Sequence, residues 1–206
     1  SDPFHKVGKE LPIINQLISD GYTGRKGKGG FFRMNKSSDA KVLESLNYKD
    51  NTYHKSKKVD LGLPDVMDVK SVIEREDVYG KYAWSIIKKT ILYASSLVPE
   101  VTENFNDIDD AMKCGFNWSK GPFEILNEIG IENFVSKLNQ DEEIPSFVKQ
   151  LIDQKNSLFK TADNALEYFH PHHFYMPMRR PDGVISLSDN KKSSKPIYTN
   201  ASASIW

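Results

Sequence analysis

One cysteine in 206 residues leaves Cys114 without a partner for an internal disulfide, and that usage suits a reducing compartment. Neither charge is in surplus, because 28 Lys plus Arg face 28 Asp plus Glu. A neutral chain has no long-range field with which to collect phosphates, which argues against a dedicated nucleic-acid binder. No stretch approaches the roughly 18 unbroken apolar residues of a membrane helix. The polar start, Ser1 to Lys9, holds no signal-peptide core. These absences predict a soluble, cytoplasmic chain. Apolar residues are not lacking: 38 % of the chain is hydrophobic and 27 % charged, enough for a packed core in one ordinary domain or two small ones.

Leu11, Ile14 and Ile18 share one face of a predicted short helix, with Pro12 near its start and Gly21 past its end. A glycine-rich basic loop follows, Gly24-Arg25-Lys26-Gly27-Lys28-Gly29-Gly30, closed by Phe31 and Phe32. Residues 35–60 are polar and lysine-rich and read as an irregular segment, with one short helix around Val42 to Leu46. Ala83, Ile87, Ile91, Ala94 and Val98 form the buried stripe of a long helix that Pro99 stops. Asn106 or Asp107 can cap a helix over Ile108 to Lys113, with Gly115 at the left-handed position. Gly121-Pro122 opens another helix, which Gly130 ends. Further helices follow from Ile131 and from Pro145. The tail from His170 holds two β-like runs, Val184 to Leu187 and Ile197 to Thr199, a hairpin or an extended linker. Leu11 to Asp20 also echoes Ile144 to Asp153, and each leads into a polar stretch that ends in aromatics. Repeated units bury matching faces. The helices before the second copy have no counterpart before the first, so the expectation is a fragment that begins inside a repeat.

Candidate chemistry is sparse. The Gly24–Gly30 loop lacks the Walker pattern, and a dinucleotide fingerprint needs a strand before it and a helix after it. Arg25, Lys26 and Lys28 could touch an anion such as a CoA phosphate; the alternative is a tight turn with solvated lysines. His170, His172 and His173 have no cysteine or carboxylate at a usual zinc spacing, so no metal is expected. Asp109, Asp110, Glu142 and Glu143 read as solvated charges that match helix dipoles, and Cys114 as a small packing residue.

Three stretches resemble the C-terminal domain of 3-hydroxyacyl-CoA dehydrogenases. Asp107-Ile108-Asp109-Asp110-Ala111-Met112-Lys113-Cys114-Gly115 and Gly121-Pro122-Phe123-Glu124-Ile125-Leu126 are similar to that family's acidic-Ile-Asp-x-Ala-Met-x-x-Gly start and Gly-Pro-Phe-Glu-Leu finish. The loop with Gly24, Gly27, Gly29 and Phe31 resembles the run that closes the same domain. Tyr82 to Glu100 resembles the long helix that opens a second copy in long bacterial members. The tail Ala201-Ser202-Ala203-Ser204-Ile205-Trp206 is similar to a junction into a crotonase-type enoyl-CoA hydratase.

The resemblance implies a mainly α fold: a helical bundle in one partial and one near-complete copy, with an irregular or short β-hairpin tail. Residues 1–60 would end the first unit, 61–78 link, 79–169 form the second unit and 170–206 lead onward. It implies a parent enzyme of fatty-acid β-oxidation that uses NAD and an acyl-CoA substrate. No catalytic or NAD-binding residue carries over onto this chain. The helical units would pair within the chain or as a homodimer. Two rivals stand beside this reading, a non-catalytic helical dimerisation module and the helical domain of a related hydroxyacid dehydrogenase.

Overall fold

In the computed structural model, which describes residues 5, 9–36, 41–60, 62, 68–163, 165–178 and 182–206, the first helix is α1 (Pro12–Ser19). Gly21, at φ +82°, ends it: Gly21 N–H bonds Ile18 O and Tyr22 N–H bonds Leu17 O, satisfying the last free carbonyls. An antiparallel meander follows, β1 (Phe32–Asn35), β2 (Val42–Asn47) and β3 (Thr52–Lys55). These elements make up the first of two units, Ser1–Pro64.

The second unit, Asp65–Trp206, begins with α2 (Val69–Ile73) and α3 (Val78–Ser96), whose first turns are capped by the Asp68 and Asp77 carboxylates. Then come α4 (Phe105–Phe116), α5 (Pro122–Ile129), α6 (Ile131–Ser136) and α7 (Ser146–Asp153). A second meander is built of β4 (Phe159–Ala162), β5 (Ala165–His170) and β6 (Phe174–Pro177). After it lie α8 (Leu187–Ser193) and a small hairpin, β7 (Tyr198–Thr199) with β8 (Ser204–Ile205). Ile91, Ala94, Val98, Phe105, Phe123, Leu126, Phe134, Phe147, Leu151 and Phe169 share one core.

Both units contain the same helix-plus-meander. Gln16-Leu17-Ile18 superposes in role on Gln150-Leu151-Ile152, and Lys155 and Asn156 repeat the bonds of Gly21 and Tyr22 to the helix end. Leu46 N–H to Phe31 O recurs as Phe169 N–H to Leu158 O, and Ser56 N–H to Leu43 O as Met178 N–H to Leu166 O. The echo in the sequence is therefore structural, displaced by one residue from a match of the two prolines. One connection differs. Residues 20–31 join α1 to β1, whereas residues 154–158 suffice between α7 and β4. The glycine-rich loop is the insertion.

The mainly α bundle expected from the resemblance is corrected by the two three-stranded sheets. Val42 to Leu46 is a strand and not a helix, because Val42, Glu44 and Leu46 alternate with Leu43 and Ser45, and both β1 and β3 pair with it. Val184 to Leu187 forms no strand; Leu187 starts α8. The α4 helix starts earlier and runs on past Gly115, capped by Asn104 and ended by Asn117 at φ +57°. On α1 the Leu11–Ile14–Ile18 face is exposed and Leu17 is the buried position.

Candidate functional site

Within the first unit the glycine-rich loop folds back on itself. Gly24 N–H bonds Gly29 O at 2.7 Å, and Gly27 N–H bonds Gly24 O at 2.9 Å. Gly24 and Gly29 sit at φ +110° and +116°, a backbone region that side chains rarely enter, and a Cβ at Gly29 would stand 2.6 Å from Arg33 Cβ. Arg25 and Lys26 are exposed at the tip. Lys28 turns back, its Nζ donating to Asp20 O at the end of α1 at 2.9 Å. Phe31 and Phe32 are exposed.

Beneath the loop lies a side-chain cluster that sequence reasoning missed. Arg33 Nε donates to Glu44 Oε2 at 2.7 Å and its NH1 to Tyr22 Oη at 3.0 Å, while its guanidinium sits 3.9 Å from the Tyr53 ring centroid. Asn35 Nδ2 donates to Glu44 Oε1 at 2.9 Å. Hydrogen bonds from Asn35 and then Arg33 hold the Glu44 carboxyl below its usual range, and Glu44 raises Arg33 in turn. Tyr53 Oη donates to Gly30 O at 2.6 Å and so fastens the foot of the loop to β3. The cluster borders a cleft of about 380 Å³ between α1 and the sheet, with Gln16, Leu17 and Leu46 on its other walls. The signal that could have found it is the repeat: the second unit places Lys160, Glu167 and Tyr175 in the same relation. Lys160 Nζ is 3.2 Å from Glu167 and 4.1 Å from the Tyr175 ring, and Tyr175 Oη donates to Ser157 O at 2.7 Å.

The units also differ in charge. Residues 1–64 hold 12 Lys plus Arg against 7 Asp plus Glu, and residues 65–206 hold 16 against 21. Overall neutrality thus conceals a basic first unit and an acidic second one. The loop can meet an anion in a favourable field even though the whole chain carries no net charge.

In the second unit the residues of the dehydrogenase-like motif build a junction between helices. Asp109 is buried, not solvated, and its carboxylate accepts from Phe123 N–H at 2.8 Å and Glu124 N–H at 3.0 Å, at the start of α5. Burial pushes this carboxyl up to about 7, against the pull of those two amides. Gly121 lets the chains approach, Pro122 occupies the first helical turn, and Phe123 is wholly buried. Met112 is half-buried, while Ala111, Cys114 and Gly115 are exposed on α4. Cys114 is therefore not a packing residue. With both carboxylate oxygens engaged by the backbone, Asp109 is a helix cap and not a proton-transfer group.

His170 is buried and stacks on Phe174, and Glu103 bridges it to His172 at 3.4 and 3.0 Å. His170 Nδ1 accepts the His172 amide at 3.3 Å, so its proton stands on Nε2, toward Glu103. No group of three or more metal-ligating side chains is found among the described residues.

Comparison with known proteins gives the arrangement its setting. A protein of Rickettsia felis, provisionally named a fatty acid oxidation complex trifunctional enzyme, is 39 % identical over 126 residues, 61 % of this chain and 17 % of that one. Its counterpart in Rickettsia prowazekii is 38 % identical over 133 residues, 65 % and 18 % of the two chains. A Bacillus subtilis protein, provisionally named a 3-hydroxyacyl-CoA dehydrogenase, is 27 % identical over 201 residues, 94 % of this chain and 25 % of its own length. This chain thus spans no more than a quarter of these relatives. No family model matches the sequence. No solved structure matches it.

Proposed function

We propose that this chain, a homologue of part of the 3-hydroxyacyl-CoA dehydrogenases of fatty acid oxidation, forms the substrate-side and pairing portion of such an NAD-dependent enzyme. The observation that carries the proposal is the inserted loop, which lifts Arg25 and Lys26 above a basic unit whose sheet exposes Phe32, Met34 and Leu43. An acyl-CoA has the matching halves, phosphates on one part and an apolar chain on the other. The compartment proposed is the reducing cytoplasm, in keeping with the exposed free thiol of Cys114. No helix among the described residues is long and apolar enough to cross a membrane.

NAD would accept the hydride from C3 of the hydroxyacyl thioester in the enzyme. The residues described here do not fit that nucleotide. Every named strand pair is antiparallel, and the glycine-rich loop leads from a helix into a strand, the reverse of the strand-loop-helix cradle. No step of hydride or proton transfer is assigned to this chain.

Calorimetric titration of acetoacetyl-CoA into the 206-residue chain tests the reading. Binding is expected, weakened by salt and lost on Arg25→Glu/Lys26→Glu. Heat signals unchanged by that double variant, or NADH oxidation by the chain alone, would overturn it. A second reading, a pure assembly module, draws on the exposed Val78, Tyr82 and Ile86 at four-residue spacing on α3. Sedimentation of a dimer that Tyr82→Glu dissociates, with no thioester binding, would favour that module.

A further inference from the structure

The repeat separates two layers within the Arg33 cluster. The contacts common to both units belong to the meander itself. Arg33 pairs with Glu44 and lies over the Tyr53 ring, as Lys160 pairs with Glu167 and lies over the Tyr175 ring. Tyr53 Oη donates to Gly30 O as Tyr175 Oη donates to Ser157 O, and Gly30 and Ser157 each precede the first strand of their meander by the same two positions. Three features accompany the inserted loop alone. Tyr22 stands at its entry, where Arg33 NH1 donates to the phenol at 3.0 Å. The second unit has Asn156 at that position, and its side chain turns to Gln154 at 2.8 Å. Asn35, which donates to Glu44, is replaced by Ala162. The third is arginine itself, where the second unit has lysine.

A guanidinium is a planar fork, and here it donates from Nε to Glu44 and from NH1 to Tyr22 in one fixed geometry. An ammonium on a flexible stem does not impose that geometry. The exit of the loop also meets Arg33, because a Cβ on Gly29 would stand 2.6 Å from Arg33 Cβ. Arg33 therefore touches both ends of the loop, the entry through the Tyr22 hydroxyl and the exit through Gly29. Its charge is already met by Glu44, so it is not itself the partner of an anion. We infer that Arg33 and Tyr22 are positioning residues of an anion-binding loop: their hydrogen bond sets the loop's entry against its exit, so that Arg25 and Lys26 at the tip act together on one phosphate group. Neither positioning residue touches the ligand. A loop fixed beforehand has less freedom to lose on binding, and that saving appears as affinity. The inference rests on the anion reading of the loop proposed above.

The probe is inorganic pyrophosphate, titrated into the isotope-labelled 206-residue chain. Amide shifts are expected within residues 24–30, with a dissociation constant of roughly 1–10 mM. Arg33→Lys keeps the Glu44 pair and the place over Tyr53 on the pattern of Lys160, and Tyr22→Phe keeps the ring. Each is expected to lower the melting temperature by no more than about 3 °C. Each is also expected to lower the backbone order parameters of residues 24–27 in the ligand-free chain, and to weaken pyrophosphate binding about three- to tenfold. Arg25→Ala weakens binding in the wild type and is expected to lose most of that effect in the Tyr22→Phe background, a coupling that a merely structural role would not produce. Order parameters untouched by both variants, effects of Arg25→Ala and Tyr22→Phe that simply add, or no pyrophosphate shift in the loop would each overturn the inference. Pyrophosphate binding with these couplings but no binding of acetoacetyl-CoA would uphold it and remove the thioester from the proposed function.

Discussion

Gly121 and Asp109 are in such close approach that a Cβ on the glycine would stand 2.3 Å from Asp109 Oδ1. The contact fixes the angle between α4 and α5 and presents the carboxylate to the amides of Phe123 and Glu124. Gly121→Ala is expected to destabilise the chain by about 2 kcal/mol, since the obstruction is Asp109 itself and both backbones must move. Thermal denaturation measures the loss; an unchanged melting temperature would mean the junction yields freely.

Asp109 also gives the stability a pH dependence of defined sign. Its folded-state value, about 7, lies above the ordinary 3.8 of an aspartate, so the folded chain holds a proton that the unfolded chain releases. The contribution is full below about 4 and is lost as pH rises through about 7, with an upper bound of about 4 kcal/mol. Asp109→Asn, which leaves one amide of α5 unpaired at a cost of about 1–3 kcal/mol, is expected to flatten this slope. Urea unfolding of both proteins between pH 4 and 8 checks it. A wild-type chain that gains stability relative to the variant over that range would contradict the assignment.

Helix ends and long stripes were legible in the sequence because their signals are local. Pro122 and Gly130 bound α5, and Ile91, Ala94 and Val98 face the core as their spacing predicts. The strands were not. Val42 to Asn47 finds its pairing partners on two other strands, between Phe32 and Asn35 and between Thr52 and Lys55, and its lysine-rich flanks mimic a linker. The exposed stripe of α1 shows a related limit: periodicity finds an apolar face but does not say whether anything lies against it. For the site, residue type marked the loop, yet the Arg33–Glu44–Tyr53 cluster becomes visible only through register.

Lys155 occupies the position of Gly21, with φ +51° where glycine has +82°. Non-glycine residues are strained there. Lys155→Gly is expected to stabilise the second unit by about 0.5–1 kcal/mol, and Gly21→Lys to destabilise the first by a similar amount. Chemical denaturation of both variants reads the effect, and either change acting in the reverse of its expected direction would show that the turns are not equivalent.

Tyr53→Phe removes the hydrogen bond that ties Gly30 to β3. A loss of about 1 kcal/mol is expected, with faster amide exchange through residues 24–30 and none in the second unit. Tyr175→Phe is expected to act in mirror fashion on residues 156–160, where the tyrosine bonds Ser157. Exchange that quickens throughout the chain would rule out local fastening.

The most direct test of the substrate-side assignment compares the two repeats in one tube. Acetoacetyl-CoA is added to the isotope-labelled chain and the shifted amides are mapped. The account predicts changes at Gly24 to Arg33, where the inserted loop stands, and silence at Lys155 to Lys160, where the second repeat lacks it. Equal shifts in both segments, or none in either, would contradict it.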